Sequence, residues 1–322
     1  MEATDLNDLA TRYDGMTHVW KFGYGSNMGQ EFLRAKKNLN PVKFERCILR
    51  GFQLSFPEGK GIEFVDPAFA TLKPNPDAFV HGVSTLFSIE DAVKLNAQEG
   101  VGRAYNLAVH KVLLYDGVTE IDVEVFVNPK PIPLDFPEGV CSVRYRDILV
   151  NGAKEVDLDP TWIEKLQQLL TYSPSPETLA RREKLPPPSA LPCLNIEELA
   201  RHNGKNDGYP HYISSCGYVF KVKDFFDIFH GRDITFRNIL HARGINLETN
   251  DDGGKSPFPR LSKVEQPALQ YALCYRDRYI FKAGGAIAVL KEFWEQQDEH
   301  LDGVYTGNTL STLLEQKCGM GR

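Results

Sequence analysis

Two short stretches carry residue types that can do chemistry together. The first is Phe22-Gly23-Tyr24-Gly25-Ser26-Asn27-Met28, which follows an apolar, strand-like approach (Val19 to Phe22) and precedes a helix-like run (Gln30 to Arg34). A strand that breaks at glycines and enters a helix leaves backbone N–H groups unpaired at the turn. Those donors form a small nest for a carboxylate or phosphate. Gly23 and Gly25 are expected to take positive φ and let the backbone come close to a ligand. Ser26 and Asn27 have side chains able to cap the helix or hold the ligand. The same residues also read as a plain capped turn from strand to helix.

The second stretch is Gln98-Glu99-Gly100-Val101-Gly102-Arg103-Ala104-Tyr105. Glu99 stands at the end of an amphipathic helix, just before two glycines and a strand. A helix C-terminus is partially negative and disfavours a carboxylate. Enclosed in a pocket, a Glu so placed is suited to take and return a proton; exposed to solvent, it is an ordinary helix-end residue. Nucleotide binding at the glycine turn fits poorly, because no Lys-Ser/Thr follows the glycines and no GxGxxG is present.

The elements that must position these residues are mostly strands. Segments 47–56, 70–72, 80–87 and 107–115 are strand candidates, and Ile121 to Val127 alternates strictly. Many short strands with Gly and Pro turns suggest a barrel or strongly curved sheet. Two helices interrupt them. Ile89 to Gln98 starts behind Ser88 as N-cap, and Pro160 to Leu170 places Trp162, Leu166, Leu169 and Leu170 along one face. Residues 173–192 hold six prolines and read as an interdomain linker that is neither a continuous helix nor a central strand. Residues 1–17 read as a mobile leader. Beyond Leu194, helices are expected at 196–202, 225–229, 235–242 and 285–300, a strand or hairpin at 212–222, and a turn cluster at 250–257.

Composition sets bounds. At 322 residues, two domains are expected. A hydrophobic content of 42% with 25% charged residues is that of a globular protein. The formal charge of −6 argues against nucleic acid and against an anionic membrane surface. No apolar run approaches the ~20 residues of a membrane helix. The N-terminal residues have no signal-peptide core. Six scattered cysteines without a CxxC pair indicate neither a zinc site nor a dense disulfide framework, and reduced thiols in a cytoplasmic compartment are the expectation.

Together these motifs resemble the gamma-glutamylcyclotransferase family. Tyr24-Gly25-Ser26-Asn27-Met28 stands where the family has Tyr-Gly-Ser-Asn-Leu, and Gln98-Glu99-Gly100 is followed by Tyr105. Tyr145 to Lys154 is similar to a tyrosine-led strand ending in Gly-Ala-Lys, and the three occur in order over residues 18–172. The resemblance implies an α+β fold: a mixed β-barrel with flanking helices, here joined to a smaller α+β C-terminal domain at 193–322. It implies a small-molecule gamma-glutamyl substrate, whose α-amine attacks its own γ-carbonyl to give 5-oxoproline and a free amine. Glu99 would be the general acid/base. Phe22, Gly23, Tyr24, Gly25, Ser26, Asn27, Tyr105 and Tyr145 would bind substrate, with no cofactor and no metal. Asn27 argues against the glutathione-specific branch, and Ser26 against the gamma-glutamylamine branch.

The C-terminal region is less defined. Residues 197–203, 218–222 and 229–233 resemble a cytochrome b5-like, steroid-receptor-associated fold, but the His-Pro-Gly-Gly haem loop is missing. His202, His211, His230 and His241 lack metal-ligand spacing. The alternative to an enzyme is a non-catalytic protein that keeps the gamma-glutamyl pocket and works through its C-terminal half. A homodimer is left open.

Overall fold

The structure, a computed structural model, describes residues 12–205, 208–222, 230–242 and 258–297. The helix expected at 225–229, the turn cluster at 250–257 and the end of the 285–300 helix lie outside the described residues, as do residues 1–11. The chain divides into two compact units, one of residues 1–62 with 66–172, the other of residues 63–65 with 173–322.

The first unit is a closed barrel of five strands: β1 (His18–Gly23), β2 (Lys43–Ser55), β3 (Thr71–Ser88), β4 (Asn106–Leu114) and β5 (Glu120–Val127), in the order β1-β3-β2-β4-β5. The pairs are antiparallel except β1 with β5, whose parallel pairing closes the barrel. A register shift between Arg50 and Phe52 bends β2, and Gly51 takes φ 80° there. The two strand segments expected at 70–72 and 80–87 are one strand. Pro74 and Pro76 are tolerated because this end of β3 pairs with β2, whereas β1 meets only residues 83–88. Phe22, Leu49, Val80, Val112, Val123 and Val125 share the inward face and pack into one buried cluster.

On β5 the alternation does not mean an exposed outer face. Glu124 is buried beneath Tyr13, Arg12 and Lys21, with Lys21 Nζ 2.5 Å from its carboxylate. Residues 12 and 13 are thus tied to the barrel, contrary to the mobile leader expected through residue 17.

The short helix α1 (Gln30–Ala35) follows a single 3-10 turn at Ser26–Met28, and α2 (Ile89–Glu99) is capped as expected, with Ser88 accepting from Asp91 N–H at 3.2 Å. The expected strand from Tyr145 is instead a helix, α3 (Val143–Glu155). Ser142 caps it, accepting from Tyr145 N–H at 2.9 Å. Its buried residues Tyr145, Leu149, Gly152 and Ala153 keep helical spacing, so tertiary burial favours period 3.6. Helix α4 (Pro160–Gln167) buries Trp162 and Leu166, but Leu170 lies beyond its end and is 78% exposed.

The second unit holds a four-stranded sheet of β6 (Cys193–Leu194), β7 (Tyr212–Ser215), β8 (Tyr218–Lys221) and β9 (Ala288–Leu290), in the order β6-β9-β8-β7. The proline-rich stretch carries a helix, α5 (Pro176–Glu183), because Pro176 sits in the first turn, where no N–H is needed, and Ser175 caps it. It belongs to the packing, since Arg182 pairs with Asp277 through a bidentate contact at 2.8 and 2.5 Å. Helices α6 (Ile196–Arg201) and α7 (Thr235–Ala242) stand near their expected positions. The long helix is α8 (Gln266–Ala283), begun by Pro267 and ended by Gly284 at φ 78°. The expected helix at 285–300 is replaced by β9 and a short α9 (Lys291–Glu295). No helix among the described residues is long and apolar enough to cross a membrane.

Candidate active site

The end of β1, the 3-10 turn, the end of α2 and the start of α3 converge at one side of the barrel. Residues 22–27, Glu99, Tyr105 and Tyr145 all line a single cavity of about 40 Å³, completed by Ala70 and Phe126. That is room for roughly three waters at ~10–15 Å³ each, the scale of a small polar head group.

The glycines work differently from expectation. Neither Gly23 nor Gly25 has positive φ, and Gly25 sits at φ −117°. What they provide is closeness. A Cβ on Gly23 would lie 2.6 Å from the Asn27 carbonyl oxygen, and one on Gly25 would lie 3.2 Å from Tyr145 Oη. Gly82 serves the same packing from β3, where a Cβ would come within 2.4 Å of the Gly23 oxygen. The chain can therefore fold back tightly, with Met28 N–H donating to Gly25 O at 3.1 Å. Ser26 and Asn27 do not cap a helix with their side chains. Their own N–H groups belong to the first turn of a short helix, where no intrahelical acceptor exists.

Glu99 is the last residue of α2, and Gly100 turns the chain away at φ 69°. Its Oε1 accepts two hydrogen bonds, from Asn27 Nδ2 at 3.1 Å and from Lys37 Nζ at 2.5 Å. Because a carboxylate only accepts here, the Asn27 amide is oriented with nitrogen toward Glu99. Asn27 Oδ1 is then left buried without a hydrogen-bond partner among the described residues. Gln98 Nε2 donates to the Lys37 carbonyl at 3.0 Å, which ties the segment after α1 to the end of α2. Lys37 is the residue that the sequence pattern missed. Its only signal was a lysine pair, Lys36-Lys37, after the helix that follows the turn.

Three phenols close the cavity. Tyr24 donates to Phe126 O at 3.0 Å, and Tyr145 accepts from Ala70 N–H at 3.3 Å, with Phe56 and Phe69 edge-on to its ring. Burial pushes the hydroxyls of Tyr24 and Tyr145 well above the ordinary phenol range, so both stay neutral donors. Tyr105 is pushed up by burial and then by the Glu99 carboxylate. Arg103 is exposed and does not line the cavity. Among the described residues no group of His, Cys, Asp and Glu could hold a metal ion. His202 instead stacks on Tyr212, and His241 on Tyr271.

No protein-family model matches the chain. It is similar to the gamma-glutamyl cyclotransferase gliK of Claviceps purpurea, at 30% identity over 146 residues, which cover 43% of this chain and 64% of that relative. Among solved structures, an uncharacterized protein from Homo sapiens aligns at 25% identity and a TM-score of 0.44, over 49% of this chain and 92% of that one. A gamma-glutamyl cyclotransferase aligns at 24% identity and a TM-score of 0.43, over 48% of this chain and 90% of that one.

Proposed function

We propose that the barrel unit is a gamma-glutamylcyclotransferase. The observation that carries this reading is the shared cavity of Glu99 and the glycine turn, with one carboxylate oxygen of Glu99 held by Asn27 and Lys37. The other oxygen, Oε2, is then the one available for proton transfer.

The substrate is a gamma-glutamyl amino acid or amine conjugate. Its α-ammonium gives a proton to Glu99, and the freed amine attacks the γ-carbonyl carbon, forming the new C–N bond of a five-membered ring. The γ-carbonyl oxygen gains negative charge, which the N–H groups of Ser26 and Asn27 and the neutral Tyr145 hydroxyl stabilise. The C–N bond to the leaving amine then breaks as that nitrogen takes the proton back from Glu99, and the freed carboxylate removes the second proton from the ring nitrogen and passes it to the departing amine. The products are 5-oxoproline and a free amine. Both reacting groups lie in one molecule, so binding has only to select the conformer in which they meet. The similarity to the fungal cyclotransferase supports the reaction class.

The test is release of 5-oxoproline from a panel of gamma-glutamyl amino acids, a gamma-glutamyl-lysine isopeptide and glutathione. Glu99→Gln should lower kcat by about 10²–10⁴-fold, with the circular dichroism spectrum unchanged. Full turnover in that variant refutes the mechanism. Tight binding of the panel compounds without any product would favour a non-catalytic binding protein.

A further inference from the structure

A second cavity in the barrel unit is larger than the one beside Glu99 and has no part in the proposed reaction. It encloses about 310 Å³, against about 40 Å³ for the other, and so reaches the size of cavities that hold small organic ligands. It lies between α4 and the end of β2, and Leu54, Phe56, Trp162, Leu166 and Leu169 give it an apolar lining. Backbone bonds hold the wall in place: Gly139 N–H donates to Phe56 O at 2.7 Å, and Glu58 N–H to Pro137 O at 3.0 Å. Leu170 also lines the cavity, although it is 78% exposed. Its backbone is pinned on both sides, by Leu169 N–H to Leu166 O at 3.3 Å and by Tyr172 N–H to Cys141 O at 2.8 Å. A leucine held in water at the open side of an apolar cavity gains by covering a ligand's apolar body.

The polar groups of the cavity define the other end of that ligand. Glu138 brings a charge that is already balanced. Its Oε1 accepts from Ser55 Oγ at 2.7 Å and from Lys73 Nζ at 2.6 Å, its Oε2 accepts from Phe56 N–H at 2.7 Å, and Lys73 is fully buried. Lys165 lies with Nζ 5.0 Å from the centre of the Trp162 ring and has no carboxylate partner among the described residues. Gln53 Oε1 accepts from Asn75 Nδ2 at 2.8 Å, which leaves Gln53 Nε2 as a donor. A cationic ligand would meet Lys165 as a like charge. An uncharged apolar one would leave both donors unanswered. An apolar molecule carrying a carboxylate satisfies the walls and the donors together.

We propose that this cavity is a second ligand site of the barrel unit, taking a small aryl carboxylate, with the aromatic body on the apolar lining and the carboxylate at Lys165 and Gln53. None of these groups lines the cavity of Glu99. The two sites are neighbours, since the Phe56 ring stands edge-on to that of Tyr145 with centroids 6.5 Å apart.

The probes are 2-naphthylacetate, its uncharged isostere 2-naphthylacetamide, and acetate, each titrated into the full chain by calorimetry. Wild type should bind the naphthyl acid about 5- to 20-fold more tightly than the amide, and acetate not detectably. Lys165→Met should erase that preference while leaving the amide within a few-fold, and Lys165→Arg should keep it. Leu170→Ser, at an exposed position, should weaken acid and amide alike by about 3- to 10-fold. Glu99→Gln should leave both unchanged. Equal binding of acid and amide by wild type, or an unchanged preference in Lys165→Met, would overturn the proposal. Binding lost in Glu99→Gln would overturn it by placing the probe in the other cavity. A wild type that takes up neither naphthyl probe overturns it as well, and a dimer that Leu170→Ser dissociates would then assign the cleft to a second copy of the chain.

Discussion

Gly23→Ala probes the turn more directly than any charged residue, because the added group is a single methyl. The new Cβ would stand 2.6 Å from the Asn27 oxygen, 2.9 Å from the Asn27 carbonyl carbon and 3.3 Å from Met28 N, all backbone atoms. Ordinary contact begins near 3.4 Å, so the Asn27 carbonyl must retreat by about 0.8 Å. Overpacking of this kind costs about 1–3 kcal/mol. For a domain of this size the midpoint of thermal unfolding should fall by about 2–12 °C. The displaced residue is the one that orients Glu99, and a misplacement near 1 Å costs about 10²-fold in rate. Gly25→Ala is the comparison: its Cβ meets Tyr145 Oη at 3.2 Å, the end of a side chain that can yield by tenths of an ångström. Thermal unfolding and 5-oxoproline release, measured on both variants, should rank Gly23→Ala as the more damaged in each. A Gly23→Ala protein that unfolds at the wild-type temperature and turns over at the wild-type rate refutes the account of the turn.

Two predictions concern the second unit. Burial pushes the Asp233 carboxyl up to about 6, although it accepts from Ser214 Oγ at 2.6 Å and Thr235 N–H at 2.9 Å. Its folded state therefore holds a proton that the unfolded chain has released. The stabilisation, about 3 kcal/mol at most, is present at acid pH and disappears as pH rises through 6. Denaturant titrations between pH 4 and 8 should show this slope in wild type and a flatter one in Asp233→Asn; equal slopes would contradict it. Arg276 is 1% exposed, and its Nε and Nη1 have no hydrogen-bond partner among the described residues. Arg276→Met keeps the stem and removes the buried charge, so stability should rise by about 1–3 kcal/mol; a lower midpoint in urea would show that the guanidinium is compensated after all.

Local patterns carried much of the barrel unit. Ser88 before Ile89 is a capping signal and Pro160 a first-turn signal, and the structure uses both. The failures share one cause, since each needed knowledge of what lies across from the segment. Tyr145 to Lys154 has the polarity of either a strand or a helix, and burial against the turn and α4 selects the helix. The start of α8 at Pro267 and its stop at Gly284 were visible signals, yet its buried Arg276 and Asp277 broke the apolar stripe that marks a helix. Prolines at 176 and 188 suggested a linker, although a proline in a first turn is compatible with a helix.

The chain's own order of residues determined that a glycine turn would follow the first strand, that an acid would end a capped helix, and that a buried tyrosine would come later. Those are short-range matters of propensity, capping and backbone freedom. Only the tertiary structure decided that Asn27 and Lys37 would meet the same oxygen of Glu99, across 72 and 62 positions of chain. Barrel closure brings these groups together, and a hydrogen bond between distant segments leaves no periodic trace in the sequence of either.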